Sequence, residues 1–391
     1  MGGDPVPIGR RVAYLRVRRR LSQQSFADRL GKSKSWVDKV ERGVRSLERV
    51  STIRDIAAVL RVDASALLGR DVQPVGVAEQ REGVARIRAA LSAYEMAFGR
   101  PTDREVMSPV WLAREVRHAW MTFQHARYPR LVELLPTLVT EVHRAHALNA
   151  EVGRAAVVVE AYRVTAALLV KLDEGSLAWL AADRAMSAAA GDPVLLACAA
   201  VQLGQVLRAS ARAGPVMLAA ASQIASGTPE EMSLRGSLLV QAALIAGRAG
   251  DDRVVGELLD EAAELAAQVG DGHDHHRTAF GPTAVELARV AAAVEVGDGP
   301  QAVARHEKAI GWDGWRGLPV EHRAAHLIDA ARACLQTDDP ANAARVLLRA
   351  ERIAPAEIHD RPGARDVVAQ VARDPDAPPT ITQLAIGLGV L

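Results

Sequence analysis

Apolar residues recur at helical spacing in two short runs near the start of the chain. Phe26, Ala27 and Leu30 form the first, Trp36, Val37 and Val40 the second, with polar residues between. That spacing predicts two amphipathic helices. Ser22 stands where an N-cap belongs, and Gly31 ends the first helix, since glycine turns left-handed without steric penalty. Ser33 caps the second, which turns Lys34, Ser35, Asp38 and Lys39 outward. Two short helices across a tight turn, the second with a polar cationic face, have the geometry that reads base edges in the DNA major groove.

Beyond residue 70 the pattern is helix after helix, dominated by Ala, Leu, Arg and Glu, with few strand signals. Gly69 to Gly76 breaks the periodicity and predicts a linker, Val77 to Gly99 resumes it, and Gly99 to Pro109 breaks it again. The clearest later unit is Ala324 to Pro355. Leu327, Ala330, Ala331 and Cys334 line one helix, Thr337 to Pro340 make a turn, and Ala343, Leu347 and Ala350 line the next. Turns followed by small residues seven apart recur: Asp173 to Gly175 with Ala178 and Ala185, Gly250 to Asp252 with Gly256 and Ala263, Gly297 to Pro300 with Ala302 and Ala309. Gly214-Pro215 with Ala219 and Ser226 is a weaker member, and Tyr128-Pro129 opens the series. The units recur every 37 to 46 residues, the signature of stacked helical hairpins, an α-solenoid. A non-repetitive helical bundle whose alanines reflect codon usage is the alternative.

Charge sharpens the division. The 391-residue chain is nearly neutral at +1, but its first 70 residues hold 16 Lys+Arg against 7 Asp+Glu, a net of +9, which leaves −8 for the rest. Three of the five lysines, Lys32, Lys34 and Lys39, fall within eight residues. A basic head on an acidic body suits counterion release from DNA.

Residues 8 to 68 resemble the DNA-binding domain of Xre/Cro-type helix-turn-helix regulators, the fold of lambdoid phage repressors. The resemblance rests on Ile8-Gly9, Leu15, Arg16 and Arg18, Leu21 to Gln24, Phe26-Ala27, Gly31, Ser33, Val37, Glu41-Arg42-Gly43, Ile53, Ile56-Ala57 and Leu60, with a short last helix at Ala64 to Leu68. It implies a five-helix, lambda-repressor-like domain. The unit Ala324 to Pro355 resembles a tetratricopeptide repeat. The expected fold is therefore all-α: a head over residues 1–70, a linker and connecting helix over 71–109, and a solenoid of tetratricopeptide-like hairpins over 110–391. The layout resembles actinobacterial regulators with an Xre-type head and a repeat body. In related head-plus-solenoid regulators of other bacteria the repeats dimerise and bind a signalling peptide or small molecule on their concave surface. A homodimer with a small-molecule or peptide effector is therefore expected, although the analogy does not imply which ligand.

The resemblance places DNA contacts at Gln23, Lys34, Ser35, Asp38 and Lys39, and the chemistry of neighbouring positions extends the set to Ser33, Trp36, Arg42 and Arg45. Lys34 and Lys39 can neutralise phosphate or donate to guanine, and Asp38 can accept from a cytosine amino group. Gln23 at a helix N-terminus suits a phosphate. Arg16, Arg18, Arg19, Arg20, Arg42 and Arg45 suit the backbone, with Arg45 alternatively in a minor groove. Trp36 is either a core aromatic or an apolar contact to a thymine methyl. Glu41 is read as structural, pairing with an arginine of the first helix.

Three further segments invite chemistry. His273-Asp274-His275-His276 could suggest a metal, but adjacent histidines diverge on most backbones, and a solvated loop is expected. Arg277, Phe280 and Thr283 interrupt the alanine pattern at the head of a helix, where they line an effector pocket or else form a cap and staple. Trp312 and Trp315 lie in a loop between repeats and either anchor a contact or pack on the adjacent helix. Cys198 and Cys334 fall within apolar helical patterns and read as reduced core residues. No apolar run approaches 18 residues free of charge, and no leader-like segment opens the chain, so a cytoplasmic location with no membrane span is expected. No glycine-rich phosphate loop, nucleophile elbow or metal-spaced pair is present. No cofactor is expected and the reading is not enzymatic: a DNA-binding regulator with a double-stranded operator as partner. An antitoxin-like or scaffolding protein whose repeats hold another protein is the alternative, and a repressor without effector a third.

Overall fold

The computed structural model describes residues 8–19, 21–45, 47, 50–60, 62, 75–93, 107–148, 152–189, 191–210, 212–375 and 377–391. Among these, all regular structure is helical. The chain divides into two compact units, Met1–Glu79 with Thr382–Leu391, and Gln80–Ile381.

The smaller unit carries α1 (Ile8–Arg18), α2 (Gln23–Leu30), α3 (Lys34–Glu41) and α4 (Val50–Leu60). Val12, Phe26, Ala27, Val37, Ile53, Ile56, Ala57 and Leu60 are its buried core, with Trp36 partly buried against it. The expected last helix at Ala64 to Leu68 lies outside the described residues, as do most of the linker and of the break before Pro109.

From Gln80 on, α5 (Val75–Leu91) belongs to the larger unit and leads into the repeats. Its Val84, Ile87, Ala90 and Leu91 belong to the principal core of this unit, which therefore begins before residue 110. Five hairpins share one turn: α6 (Pro109–Gln124) with α7 (Tyr128–Leu148), α8 (Val152–Lys171) with α9 (Gly175–Ala188), α12 (Pro229–Arg248) with α13 (Asp252–Val269), α14 (Pro282–Val296) with α15 (Gly299–Ala309), and α17 (Val320–Gln336) with α18 (Pro340–Ile353). In each, one residue is left-handed: Ala126, Asp173, Gly250, Gly297 and Asp338. The next backbone N–H then reaches back five residues, as Glu174 to Leu169 O at 2.9 Å and Asp339 to Cys334 O at 2.9 Å, which closes the helix end. Asp251, Asp298 and Asp339 go on to cap the following helix. The acid and the glycine or aspartate before it thus end one helix and start another.

The hairpin α10 (Pro193–Val206) with α11 (Ala213–Ser222) lacks that turn, and the small-residue pattern fails there: Ala219 and Ser226 are exposed while Ala213, Met217 and Ala221 are buried. In α13 the seam is Leu259, Ala262 and Ala266, with Gly256 and Ala263 only half-buried. Elsewhere it holds, with Ala178, Ala185, Ala302, Ala309, Ala343 and Ala350 buried.

The short helices α16 (Gly314–Gly317), α19 (Pro355–His359), α20 (Pro362–Ala372) and α21 (Pro379–Gly387) complete the chain. The repeats do not run on as an open coil. Lys171 at the end of α8 pairs with Glu321 of α17 and, at 2.9 Å, with Glu357 of α19. Glu357 also accepts from the Tyr128 hydroxyl of α7 and from Arg361 at 3.0 Å. Gln80 of α5 donates to Asp360 O at 3.3 Å. The last repeats of this unit are therefore fastened to its first through a buried charged network.

Candidate nucleic-acid interface and inner groove

In the smaller unit both expected caps are present. Ser22 accepts from Ser25 N and Ser33 from Trp36 N, and Gly31 ends α2 at φ 63°. Val37 and Val40 point inward, which leaves Ser33, Lys34, Ser35 and Lys39 exposed at the start and along the face of α3. Asp38 is paired with Arg42 at 2.7 Å, so its carboxylate already has a cation. Trp36 is half-buried against the core, and the Arg45 guanidinium lies 6.0 Å from its ring centroid. One side of the ring serves the core while the tryptophan keeps a polar companion outside.

Glu41, at 8% exposure, is the hub of the unit. Arg16 of α1 grips it with two bonds, 2.6 and 3.0 Å, while also donating to Leu21 O at 2.7 Å. Gln23 donates its amide to the same carboxylate at 2.8 Å. The hydrogen bonds that Arg16 donates to Glu41, ahead of the opposing effect of burial, hold its pKa above the usual value. The expected pairing of Glu41 with a first-helix arginine is thus present, and Gln23 has its amide nitrogen committed to Glu41.

In the larger unit a groove of about 450 Å³ is lined by the first helix of successive hairpins, α8, α10, α12, α14 and α17, with Arg361 at one end. Most of its charges are matched. Arg248 pairs with Glu295 at 3.1 Å, and Arg332 with Glu295 at 3.3 Å and Asp329 at 3.5 Å. Arg208 is the exception. Its Nη2 reaches only Gln241 Oε1, at 3.3 Å, and its Nε is buried without a partner. Burial pushes its pKa down, against the raising influence of Asp329 and Glu295, neither of which ion-pairs with it.

Between α13 and α14, residues 274–281 fold against the body, and Arg277, Thr278 and Phe280 line the groove. Gly272 and His273 are exposed, as a solvated loop requires, whereas from Asp274 on the segment is half-buried or buried and its polar groups are taken up by the body. Asp274 accepts from Gln124 at 2.9 Å, Arg277 at 3.2 Å and Ala279 N at 3.2 Å. Arg163, with 0% exposure, donates to His276 O at 3.0 Å, to Gln202 at 2.8 Å and to Glu160, and faces the Trp120 ring at 5.3 Å. His276, Arg277 and Ala279 all have positive φ, strain these bonds hold in place. No group of three metal-ligating side chains occurs among the described residues. Cys198 Sγ lies 3.4 Å from His276 Nδ1, yet burial pushes the thiol up to about 11, so it is a neutral partner and not a nucleophile.

Of the three expected pocket residues, Arg277 and Phe280 do line the groove. Thr283 does not: its side chain is wholly buried behind it, with Oγ1 2.7 Å from Asp271 Oδ2, where it fixes the loop's exit. Phe280 is also core. It sits on Gly236, where a methyl group would lie 2.1 Å from the ring, which accounts for a glycine in mid-helix. Trp315 is 3% exposed and packs edge-on to His326 at 5.5 Å, while Trp312 lies 5.8 Å from Lys308 Nζ. Arg163 and Arg208 carry no signal in the sequence, because a lone arginine in an alanine-rich helix reads as an ordinary surface residue.

Residues 7–68 match the family described as Helix-turn-helix domain. Among solved structures, ComR from S. thermophilus, crystallised with DNA and its signalling peptide ComS, is similar at 10% identity and a TM-score of 0.27, over 88% of this chain and 99% of that one. Comparison with curated protein sequences gives no match. The N-terminal unit is a helix-turn-helix domain, and no described helix is long and apolar enough to cross a membrane.

Proposed function

We propose that the chain is a sequence-specific transcriptional regulator of the Xre type, acting as a repressor, whose operator affinity answers to a small molecule or peptide in the groove of tetratricopeptide-like repeats. The observation that carries the DNA reading is the matched helix-turn-helix with Lys34, Ser35 and Lys39 exposed on α3, in a segment of net charge +9. Ser33 and Ser35 would approach bases or phosphate from the start of that helix. The Asp38–Arg42 pair would meet DNA as a unit, and Arg45 would carry Trp36 to the groove edge. Gln23 would have to share its amide between Glu41 and a phosphate. Lys34→Ala and Lys39→Ala should each weaken operator binding in mobility-shift titrations. Each should also flatten the slope of log affinity against log salt by about one if it neutralises one phosphate. Parental slopes in both would refute the assignment.

Two heads must span half-sites about 34 Å apart, or a multiple of that, so the regulator is read as a homodimer. In this reading the dimer contact is made by the repeats, through the exposed apolar side chains Trp179, Val194, Val216 and Leu218 of α9 to α11. Trp179→Asp with Val216→Asp should give monomers in sedimentation.

For the effector, the unmatched Arg208 favours a ligand carrying a carboxylate. Cell-extract fractions should raise the melting temperature of the full chain, a hundredfold excess over Kd being worth about 2.7 kcal/mol. Arg208→Gln should remove that shift while leaving the fold intact. A shift that survives in Arg208→Gln, or no active fraction at all, would argue for a constitutive repressor.

A further inference from the structure

A second cavity, of about 330 Å³, lies between α15 and α18 and shares no lining residue with the inner groove. Arg345, Arg349 and Arg352 project into it from one face of α18. On a body of net charge −8, most neighbouring arginines have a carboxylate, as Arg305 with Glu286 at 2.8 Å and Arg289 with Asp260 at 2.7 Å. These three have none among the described residues. Arg345 reaches Asn342 Oδ1 at 2.9 Å, Arg352 reaches Leu348 O at 3.4 Å, and Arg349 lies over the Trp315 ring at 5.8 Å. Glu307, the carboxylate on the lining, is exposed and ion-pairs with none of them. Arg323 of α17 adds to the charge: burial and then Arg349 push its pKa down, and its Nε is buried without a partner. Val303, Ile310 and Val346 supply an apolar wall beside the cations.

Guanidinium forks match the oxygens of a phosphate in geometry as well as charge. A single carboxylate would leave most of this charge unanswered, whereas a phosphate monoester brings nearly two charges and three acceptor oxygens. We propose that this cleft is a binding site for a phosphate monoester with a small apolar or aromatic body, its phosphate held by Arg345, Arg349 and Arg352. The site stands apart from the groove but not out of touch with it. His306 lines the cleft, His326 lines the groove, and their ring nitrogens are 2.8 Å apart.

The test is calorimetric titration of the full chain with phenyl phosphate, inorganic phosphate and benzoate at matched ionic strength. Phenyl phosphate should bind saturably at one site, tighter than inorganic phosphate because of the apolar wall, and at least about tenfold tighter than benzoate. Arg349→Gln should weaken it by about tenfold or more, and Arg345→Lys with Arg352→Lys, which keep charge but lose the fork, several-fold. Arg208→Gln in the groove should leave it unchanged, which separates this site from the effector reading. If Arg349→Gln fails to fold, the exposed pair Arg345→Gln with Arg352→Gln decides. No saturable heat with phenyl phosphate, equal affinity in these variants, or capture of heparin without phenyl phosphate would overturn the proposal.

Discussion

Glu41→Ala is expected to destabilise the helix-turn-helix unit by about 3 kcal/mol or more, the usual result of stripping one partner from a buried ion pair. The mutation would leave the Arg16 guanidinium, held by two bonds to that carboxylate, with only Leu21 O. It would free Gln23 as well, so α1, α2 and α3 lose their common anchor together. Small domains are stable by only about 5–15 kcal/mol, and this one should melt well below the repeats. Thermal denaturation of the full chain followed by circular dichroism should show an early transition moving down while the main one stays. Glu41→Gln, which still accepts one bond from Arg16, should fall between. An unmoved early transition would mean the pair is ornamental.

The second large effect belongs to the network that fastens the repeats. Lys171→Met should lower the stability of the larger unit by about 3 kcal/mol, because Glu357 and Glu321 would keep their burial and lose a shared cation. The network also predicts a pH dependence. Burial is the largest influence on Glu357 and pushes it up, but Lys171, Arg361 and the Tyr128 hydroxyl outweigh it and hold the carboxyl below its usual 4.5. A carboxyl depressed in the folded state binds its proton more readily once unfolded. Its contribution is therefore complete above about 4.5 and disappears as pH falls through the lower folded value. Urea denaturation between pH 7 and pH 3 should show stability falling with acid, and Glu357→Gln should flatten that fall. Equal slopes in the two proteins would remove Glu357 from the account.

Much of this architecture was legible residue by residue where the governing forces are local. Ser22, Ser33 and Gly31 mark helix ends because capping is decided within three or four residues. The turns at Asp173, Gly250, Gly297 and Asp338 announce themselves through the one conformation they require. Glu41 was legible as structural because the arginine-rich first helix offers its carboxylate a partner. What escaped the sequence is long-range. Nothing near Tyr128 signals that its hydroxyl ends on a carboxylate 229 residues away. The inward fold of Asp274 to Phe280 depends on Arg163, more than a hundred residues earlier. Gly236 and Phe280 explain one another only once they touch. The misplaced seams of α11 and α13 have a simpler cause: where alanine is common, small residues seven apart occur off the contact face too.

Fastening the last repeats to the first changes the cooperativity to be expected of them. An open solenoid behaves as a linear chain of neighbours, which frays from its ends and can gain or lose a unit at modest cost. Here Tyr128, Lys171, Glu357 and Arg361 give the terminal hairpins partners on both sides. Fraying would have to begin by unburying charge, so the repeats should unfold as one block and tolerate neither deletion nor insertion of a hairpin. Evolution of such a body would proceed by reshaping its interior, not by lengthening it.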